Sequence, residues 1–325
     1  MKNFIALIIV LALIVSGVIE WGYAAFNAPG PILKSRTETV VVIKSGVGLK
    51  GVAQALADQG AIERPQVFQI GVRVLGKTAL LKAGEYAIPA RATMREIMEI
   101  LIAGKSIQHK VTVAEGLTSE MAYDIVRNAP DLKGAAGPVP PEGSLLPETY
   151  LFQRGETRAN IIAKMQKARA DLVDRLWETR AAELPIKTKE EALVLASIVE
   201  KETGIPSERP HIAAVFINRL RIGMKLESDP TIIYGITKGY PIGRRLKASE
   251  VHAVTPYNTY VIVGLPPQPI CNPGKDSIAA VLNPAVTKDL YFVANGTGGH
   301  VFSETIEEQT KNVIAWRKIH LKGEK

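Results

Sequence analysis

Residues 193–204, with the sequence LVLASIVEKETG, predict a helix that is apolar on nearly every face and still carries a glutamate, Glu200, near its end. A helix that is apolar all round is buried in a protein core. The chain must therefore build a layer of other elements around this segment. Because an isolated buried charge is costly, Glu200 is expected either to pair with another group or to take part in chemistry.

Sequence signals mark both ends of this buried helix. Thr188 followed three residues later by Glu191 is a capping box, which predicts that the helix begins directly after Thr188. Gly204 and Pro206 end it. Glu200 then lies in the last turn, where burial and the negative end of the helix dipole both favour the protonated acid. A carboxyl group that keeps its proton near neutral pH is what general-acid catalysis requires.

The residues around Glu200 leave two roles open for it. Ala196 and Ser197 share its face of the helix and are small, so another molecule can approach. The alternative is a structural acid in an internal ion pair, for instance with Arg219. Glu202 lies about 200° further around the helix, so the two carboxylates cannot face one substrate from this helix alone.

Residues 1–26 predict a transmembrane anchor. Residues 4–19 are almost wholly apolar, and Trp21 and Tyr23 follow where interfacial aromatic residues usually lie. With its flanks the run approaches the roughly 20 residues that span a bilayer. A cleaved signal peptide with a small-x-small site at residues 22–24 is the alternative, but the run is long for a signal peptide. Both interpretations place the rest of the chain outside the cytoplasm.

Composition argues against several classes of function. The net charge of +8 is spread along the chain rather than concentrated with aromatic residues, so no nucleic-acid partner is expected. A single cysteine, Cys271, excludes an intramolecular disulfide and a cysteine-rich metal site. The five histidines show no metal-binding spacing, so neither a metal nor another cofactor is expected.

The remainder of the chain predicts an α+β protein with two domains. Residues 27–36 contain Pro-Gly-Pro and are predicted to be a linker. Residues 37–106 show the order strand, helix, helix, strand, which resembles a LysM-like module, a small fold that binds N-acetylglucosamine polymers. The resemblance also rests on residues 81–86, LKAGEY, and the alternative is a generic small α+β domain. Residues 107–325 are predicted to form a larger mixed α+β domain around the buried helix.

An ordered set of short motifs runs through this larger domain. The set comprises EGSLLPETYLF at residues 142–152, ASIVEKET at 196–203, VFINRL at 215–220, LESDPTIIYG at 226–235, TPYNTY at 255–260, GLPP at 264–267, NPG at 272–274 and GGHVF at 298–302. In this order and density the motifs closely resemble the MltG (YceG-like) family of endolytic murein transglycosylases. Over the N-terminal third the resemblance rests on layout alone.

The resemblance implies a specific reaction. Members of the family cleave the MurNAc-β-1,4-GlcNAc bond within nascent peptidoglycan strands without water, leave a 1,6-anhydro-MurNAc end, and so terminate strand elongation. The family's catalytic glutamate maps to Glu200, which would act first as general acid and then as base on the C6 hydroxyl. The resemblance further implies a single-pass protein of the inner membrane with its catalytic domain outside the cytoplasm, acting near peptidoglycan synthases.

Six other residues are predicted to line the substrate cleft. They are Glu148, Asn218, Asp229, Tyr257, Asn258 and Tyr260. Amides and aromatic rings of this kind suit sugar binding, although the Asn218 side chain would serve equally well to cap a neighbouring loop. His300, in a Gly-Gly-His loop, is predicted to be structural.

Two other functions remain open at this point. A muramidase-type hydrolase would need a second carboxylate, about 5–5.5 Å or 6.5–9.5 Å from the first depending on its stereochemistry. Glu148, Glu227 and Asp229 are candidates for that role. A non-catalytic wall-binding or division scaffold would use Glu200 only as a buried structural acid.

Overall fold

The computed structural model describes residues 2–32 and 37–323 and divides the chain into two compact units. Unit 1 comprises Met1–His109 and Leu151–Gly155, and unit 2 comprises Lys110–Tyr150 and Glu156–Lys325. Both contain helices and antiparallel strands, which confirms the predicted α+β class. The functional assignment of residues 37–106 and 107–325 stays a prediction.

Unit 1 is built from a strand pair and helices. Its elements are α1 (Lys2–Asn27), β1 (Glu38–Ile43), α2 (Leu49–Asp58), α3 (Pro65–Val74), a 3-10 turn (Thr78–Leu80), β2 (Gly84–Pro89) and α4 (Met94–Ala103). β1 pairs antiparallel with β2, with Val41 opposite Tyr86. Alternate residues of β1 are buried, and they join the apolar faces of the helices in one core. The order β-α-α-β matches the predicted order. The LysM-like assignment stays a prediction.

Helix α1 is long and apolar enough to cross a membrane. The stretch Phe4–Asn27 has a mean hydropathy of 2.6, and none of the window that gives this value is buried inside the protein. A cleaved signal sequence would satisfy the same criteria of length and composition. By length and composition α1 is therefore a candidate for a single membrane span.

The last turn of α1 packs into the core of unit 1. Phe26 is 4% exposed, and its ring lies 6.4 Å from that of Phe68. The side chain of Arg95 donates a hydrogen bond from Nε to Asn27 Oδ1 at 2.6 Å. The guanidinium of Arg64 lies over the ring of Trp21. Side-chain packing, as well as the chain itself, thus joins α1 to the rest of unit 1.

The predicted linker, residues 27–36, is described only in part, because residues 33–36 lie outside the described residues. Asn27 is the last residue of α1. The backbone N–H of Gly30 donates to the carbonyl of Arg91 at 3.1 Å, and the N–H of Arg91 donates to the carbonyl of Pro31 at 3.2 Å. The chain after α1 is therefore hydrogen-bonded to unit 1 before residue 33.

Unit 2 surrounds a central helix. Two strands span the division between the units: β3 (His109–Thr112), whose residue His109 belongs to unit 1, and β4 (Thr149–Phe152), whose residues Leu151 and Phe152 belong to unit 1. The other elements of unit 2 are α5 (Ser119–Asn128), α6 (Arg158–Glu178), α7 (Lys189–Glu202), α8 (Arg209–Arg221), α9 (Asp229–Thr237), α10 (Ala248–Val251), α11 (Lys275–Leu282), β5 (Tyr291–Ala294), β6 (His300–Ser303) and α12 (Ile306–Gly323). Every residue from Ala192 to Val199 in α7 is buried. Helices α6, α8, α9 and α11 contact α7. This layer supplies the surroundings that an all-round apolar helix requires.

Replacing Phe26 with alanine is expected to destabilise unit 1. The substitution leaves a cavity between α1 and α3, and losses for buried phenylalanines are about 3–5 kcal/mol. Thermal unfolding and hydrogen exchange of the full chain in detergent measure the effect. Tyr23→Ala is the matched control, because Tyr23 lies on the same helix and is 68% exposed. Equal losses of stability in the two variants would contradict the packing described above.

Candidate active site

The two ends of α7 lie where the sequence signals predict them, with one difference. Thr188 caps the helix by accepting a hydrogen bond from the backbone N–H of Glu191 at 3.1 Å. The carboxylate of Glu191 accepts from the backbone N–H of Lys187 instead of Thr188. The predicted reciprocal bond of the capping box is therefore made one residue earlier in the chain. The helix ends at Glu202, so Glu200 is in its last turn.

Glu200 is held by two donors from other elements. Its side chain is 6% exposed. The backbone N–H of Gly274 donates to Oε2 at 2.9 Å, and Arg209 approaches Oε1 with a terminal nitrogen at 3.4 Å. The ion pair predicted as the alternative role thus exists, but with Arg209 and not with Arg219. Two donors on two different oxygens fix the orientation of the carboxyl group.

Arg219 has a different, structural set of partners. Its guanidinium donates to the backbone carbonyls of Leu290 at 2.7 Å and Leu226 at 2.8 Å. It also pairs with the carboxylate of Glu227 at 3.4 Å. Burial lowers the pKa of Arg219. The predicted pairing of Arg219 with Glu200 was wrong because Arg219 lies near the far end of α8, which begins at Arg209.

Arg209 is buried among three carboxylates. Its side chain is 8% exposed, and it lies 3.1 Å from Glu115, 3.4 Å from Glu200 and 3.5 Å from Asp276. Burial raises the pKa of Glu115, and the nearby charge of Glu200 raises it further, against the opposing effect of Arg209. Glu115 and Arg209 are 94 residues apart in the chain, and nothing in the sequence indicates that they meet.

A side chain at Gly274 would require the neighbouring Glu115 carboxyl group to move. Gly274 is the N-cap of α11 with a φ of −72°, a value open to any residue. A Cβ atom there would overlap the carboxyl group of Glu115. The absence of a side chain therefore lets Glu115 pack against the same backbone whose N–H binds Glu200.

The segment before Gly274 is fixed against α7 and neighbouring loops. Ser197 accepts a hydrogen bond from the backbone N–H of Ile270 at 3.0 Å and donates to the carbonyl of Val194 at 2.7 Å. Asn272 is fully buried, and its side chain accepts from the backbone N–H of Leu145 at 2.9 Å. These bonds hold the residues that bring Gly274 to Glu200.

Glu202 has a separate environment on the other side of the helix end. Its carboxyl group accepts a hydrogen bond from the hydroxyl of the buried Ser228. Burial raises the pKa of Glu202 to about 7, with the charge of Asp229 adding to the rise and the Ser228 bond opposing it. Glu200 and Glu202 have no hydrogen-bonding partner in common among the described residues.

Asp229 and Tyr260, two of the predicted cleft residues, lie together near Glu202. The hydroxyl of Tyr260 donates to Asp229 Oδ1 at 2.8 Å, and burial raises the pKa of Tyr260. The ring of Tyr257 lies 5.1 Å from that of Tyr234, and burial raises the pKa of Tyr257. Both tyrosines are partly exposed.

The two predicted asparagines are engaged by backbone. The Asn258 amide is buried and donates to the carbonyls of Val251 and Ala253 at 2.8 and 2.7 Å. This structural use leaves Asn258 without an accessible group for the predicted sugar contact. The Asn218 amide donates to the carbonyls of Thr287 and Asp289 at 2.9 and 3.0 Å, which corresponds to the loop-capping alternative.

The remaining predicted polar residues lie apart from Glu200. Glu148 is exposed, and its backbone carbonyl accepts from the N–H of Val113 at 3.1 Å. His300 pairs through Nδ1 with Glu208 at 2.8 Å. Within residues 2–32 and 37–323, no group of three or more His, Cys, Asp or Glu side chains is placed to hold a metal ion.

Comparison with known proteins gives consistent matches. The model of the YceG-like family matches residues 41–315. The endolytic murein transglycosylase of Bacillus subtilis is 28% identical, over 92% of this chain and 90% of that protein. The endolytic murein transglycosylase of Streptococcus pneumoniae is 35% identical over 53% of this chain, a match that spans only 31% of that longer protein.

A solved structure is also similar. The crystal structure of a YceG-like protein from Listeria monocytogenes superposes with a TM-score of 0.52 at 28% sequence identity. The superposition covers 85% of this chain and 99% of that one. The likeness extends beyond the motif-rich half of the sequence.

Protonation of Glu202 is expected to make the melting temperature depend on pH. A carboxyl whose pKa is raised from 4.5 to about 7 on folding contributes stability that is complete below pH 4.5 and is lost as the pH rises through 7. Glu202→Gln should flatten the curve of melting temperature against pH in this window. Glu190→Gln, an exposed position on the same helix, is the control. Parallel curves for both variants and the wild type would exclude the raised pKa.

Proposed function

The chain belongs to the YceG-like family, and from this premise we propose that it is an endolytic peptidoglycan lytic transglycosylase with Glu200 as catalytic acid and base. The observation that carries the assignment is the carboxyl group of Glu200, oriented at the end of a buried helix by Gly274 and Arg209. The names of the relatives from Bacillus subtilis and Streptococcus pneumoniae support the same activity.

The proposed reaction uses one carboxyl group twice. Glu200 donates its proton to the bridging oxygen as the MurNAc C1–O4 bond breaks, and GlcNAc leaves with a new hydroxyl. The carboxylate then accepts the proton of the MurNAc C6 hydroxyl while its oxygen forms a bond to C1. The product end is 1,6-anhydro-MurNAc, no water is consumed, and Glu200 regains its proton. Low solvent exposure at Glu200 supports a reaction that excludes water.

A hydrolase is the first alternative, and the partners of the candidate second carboxylates bear on it. Glu227 is paired with Arg219, and Asp229 accepts a bond from Tyr260. Neither shares a partner with Glu200. A non-catalytic wall-binding or division scaffold is the second alternative, in which the contacts of Glu200 serve stability alone.

The rest of the chain fits this function as follows. Helix α1 acts as a single-pass anchor in the inner membrane, with residues 37–325 on the outer side, and its length and apolar composition support this role. Residues 37–106 act as a LysM-like module that binds glycan strands, and residues 107–325 cleave them. Cleavage within nascent strands terminates their elongation, which places the protein near peptidoglycan synthases.

Glu200→Gln is expected to reduce cleavage of purified glycan strands by about 100- to 10,000-fold, the usual contribution of general acid–base catalysis. The amide keeps an oxygen for the Gly274 N–H, so the melting temperature should change little. Mass spectrometry of the products distinguishes the mechanisms. Anhydro ends from the wild type support the transglycosylase, whereas reducing MurNAc ends establish a hydrolase.

The remaining outcomes of this experiment are equally informative. Full cleavage by Glu200→Gln would remove Glu200 from the chemistry. Absence of cleavage by the wild type, together with binding to strands, would favour the scaffold. Unfolding of the variant would assign Glu200 a structural role.

Gly274→Ala is expected to lower the rate of cleavage by about 100-fold, because displacement of a reacting group by about 1 Å can reduce a rate by about that factor. The new Cβ overlaps the Glu115 carboxyl, so either that group or the Gly274 backbone, whose N–H binds Glu200, has to move. Gly204→Ala is the matched control, since its Cβ would meet nothing within 4 Å. Strand-cleavage rates of the two variants are compared at equal folded fraction. Similar rates would show that the Gly274 contact does not position the acid.

A further inference from the structure

We propose that Glu115 is a positioning residue of this site, whose carboxylate balances the charge of Arg209 so that the guanidinium can orient Glu200 without keeping it ionised. The inference rests on the proposed function, because it explains how Glu200 can serve as an acid beside a buried cation. No role for Glu115 follows from the one-carboxylate mechanism itself.

The first support is that Glu115 and Glu200 share one donor atom. The same terminal nitrogen of Arg209 lies 3.1 Å from Glu115 Oε2 and 3.4 Å from Glu200 Oε1. The other oxygen of Glu115 packs against Gly274, whose N–H binds Glu200. The two carboxyl groups are therefore linked through both contacts that orient Glu200.

The second support is electrostatic. A guanidinium this close to a carboxyl group favours the ionised form, which opposes the release of a proton to the substrate. A second carboxylate on the same nitrogen offsets that effect. The pKa of Glu115 is raised by burial and then by the charge of Glu200, so the two groups interact.

Among the charged groups around Arg209 and Glu200, Glu115 is the main one that balances the positive charge of Arg209. Asp276 on α11 also faces Arg209, but its side chain is 53% exposed at 3.5 Å, against 37% exposed at 3.1 Å for Glu115, so solvent screens Asp276 more strongly. Lys201 on α7 donates from Nζ to the carbonyl of Gly116 at 3.2 Å, next to Glu115. Burial raises the pKa of the Cys271 thiol well above its usual range, so that group is neutral.

The test is the dependence of kcat/KM on pH for strand cleavage by the full chain. Its alkaline limb reports loss of the catalytic proton. Glu115→Gln keeps an oxygen for Arg209 but removes the charge, so the limb should move to lower pH by about one unit, with cleavage above the limb falling about tenfold. Glu120→Gln, an exposed acid in the first turn of α5, is the control and should leave the limb in place.

Removal of the Arg209 charge is expected to shift the alkaline limb in the opposite direction. Arg209→Gln should move the limb to higher pH, and the double variant Glu115→Gln/Arg209→Gln should return it close to the wild-type position. Arg209→Lys keeps the charge and should leave the limb within about 0.5 unit of wild type. A merely structural role would lower rates in every variant without this reversal of sign. Melting temperatures identify any variant that fails to fold.

A second measurement does not depend on turnover. Titration of the Glu200 carboxyl carbon by NMR, with the signal assigned by its loss in Glu200→Gln, should show the same shifts. If the wild type makes no anhydro ends, the proposed function fails while the titration still tests the charge balance. If the wild type is active but neither limb nor titration moves in Glu115→Gln, this inference alone is overturned.

Discussion

The need to satisfy polar groups at the end of a buried helix governs the arrangement of the candidate site. Ser197 and Glu200 are polar positions on a helix whose other central residues are apolar and buried. Leaving such groups without partners would cost about 1–3 kcal/mol each, and more for a charge. One stretch of backbone serves both, since Ile270 donates to Ser197 and Gly274 donates to Glu200. Stability of the core and placement of the carboxyl group therefore depend on the same contacts.

The buried guanidinium of Arg209 imposes a second condition. A cation with 8% exposure must be surrounded by anions, and Glu115, Glu200 and Asp276 supply them. In general, a neighbouring cation favours the ionised form of a carboxyl group. Under the proposed function, Glu115 and Asp276 would offset this effect by balancing the charge of Arg209.

Local signals in the sequence were sufficient to predict α7 but not the residues that contact its polar side chains. Capping and stop residues gave both ends of α7, and its uniform apolarity gave its burial. Arg209 and Arg219 occupy one helix and are about 15 Å apart along its axis, so periodicity cannot decide between them. The amides of Asn218 and Asn258 have a composition suited to sugar binding, but they satisfy backbone carbonyls instead. The partners of Asn218 are 69 and 71 residues away and those of Asn258 are seven and five residues away, and no periodic pattern in a single sequence reports either set.

Two carboxyl groups two residues apart on α7 show how far the helix itself determines their chemistry. Glu202 is paired with the neutral hydroxyl of Ser228, and burial raises its pKa to about 7. Glu200 shares the helix end and low exposure, but its partners are a cation and a backbone N–H from outside the helix. Burial and the helix dipole act on both residues, so they cannot be what distinguishes them. The distinction between their partners comes from Arg209 and Gly274, which lie outside α7, and Arg209 is in turn paired with Glu115.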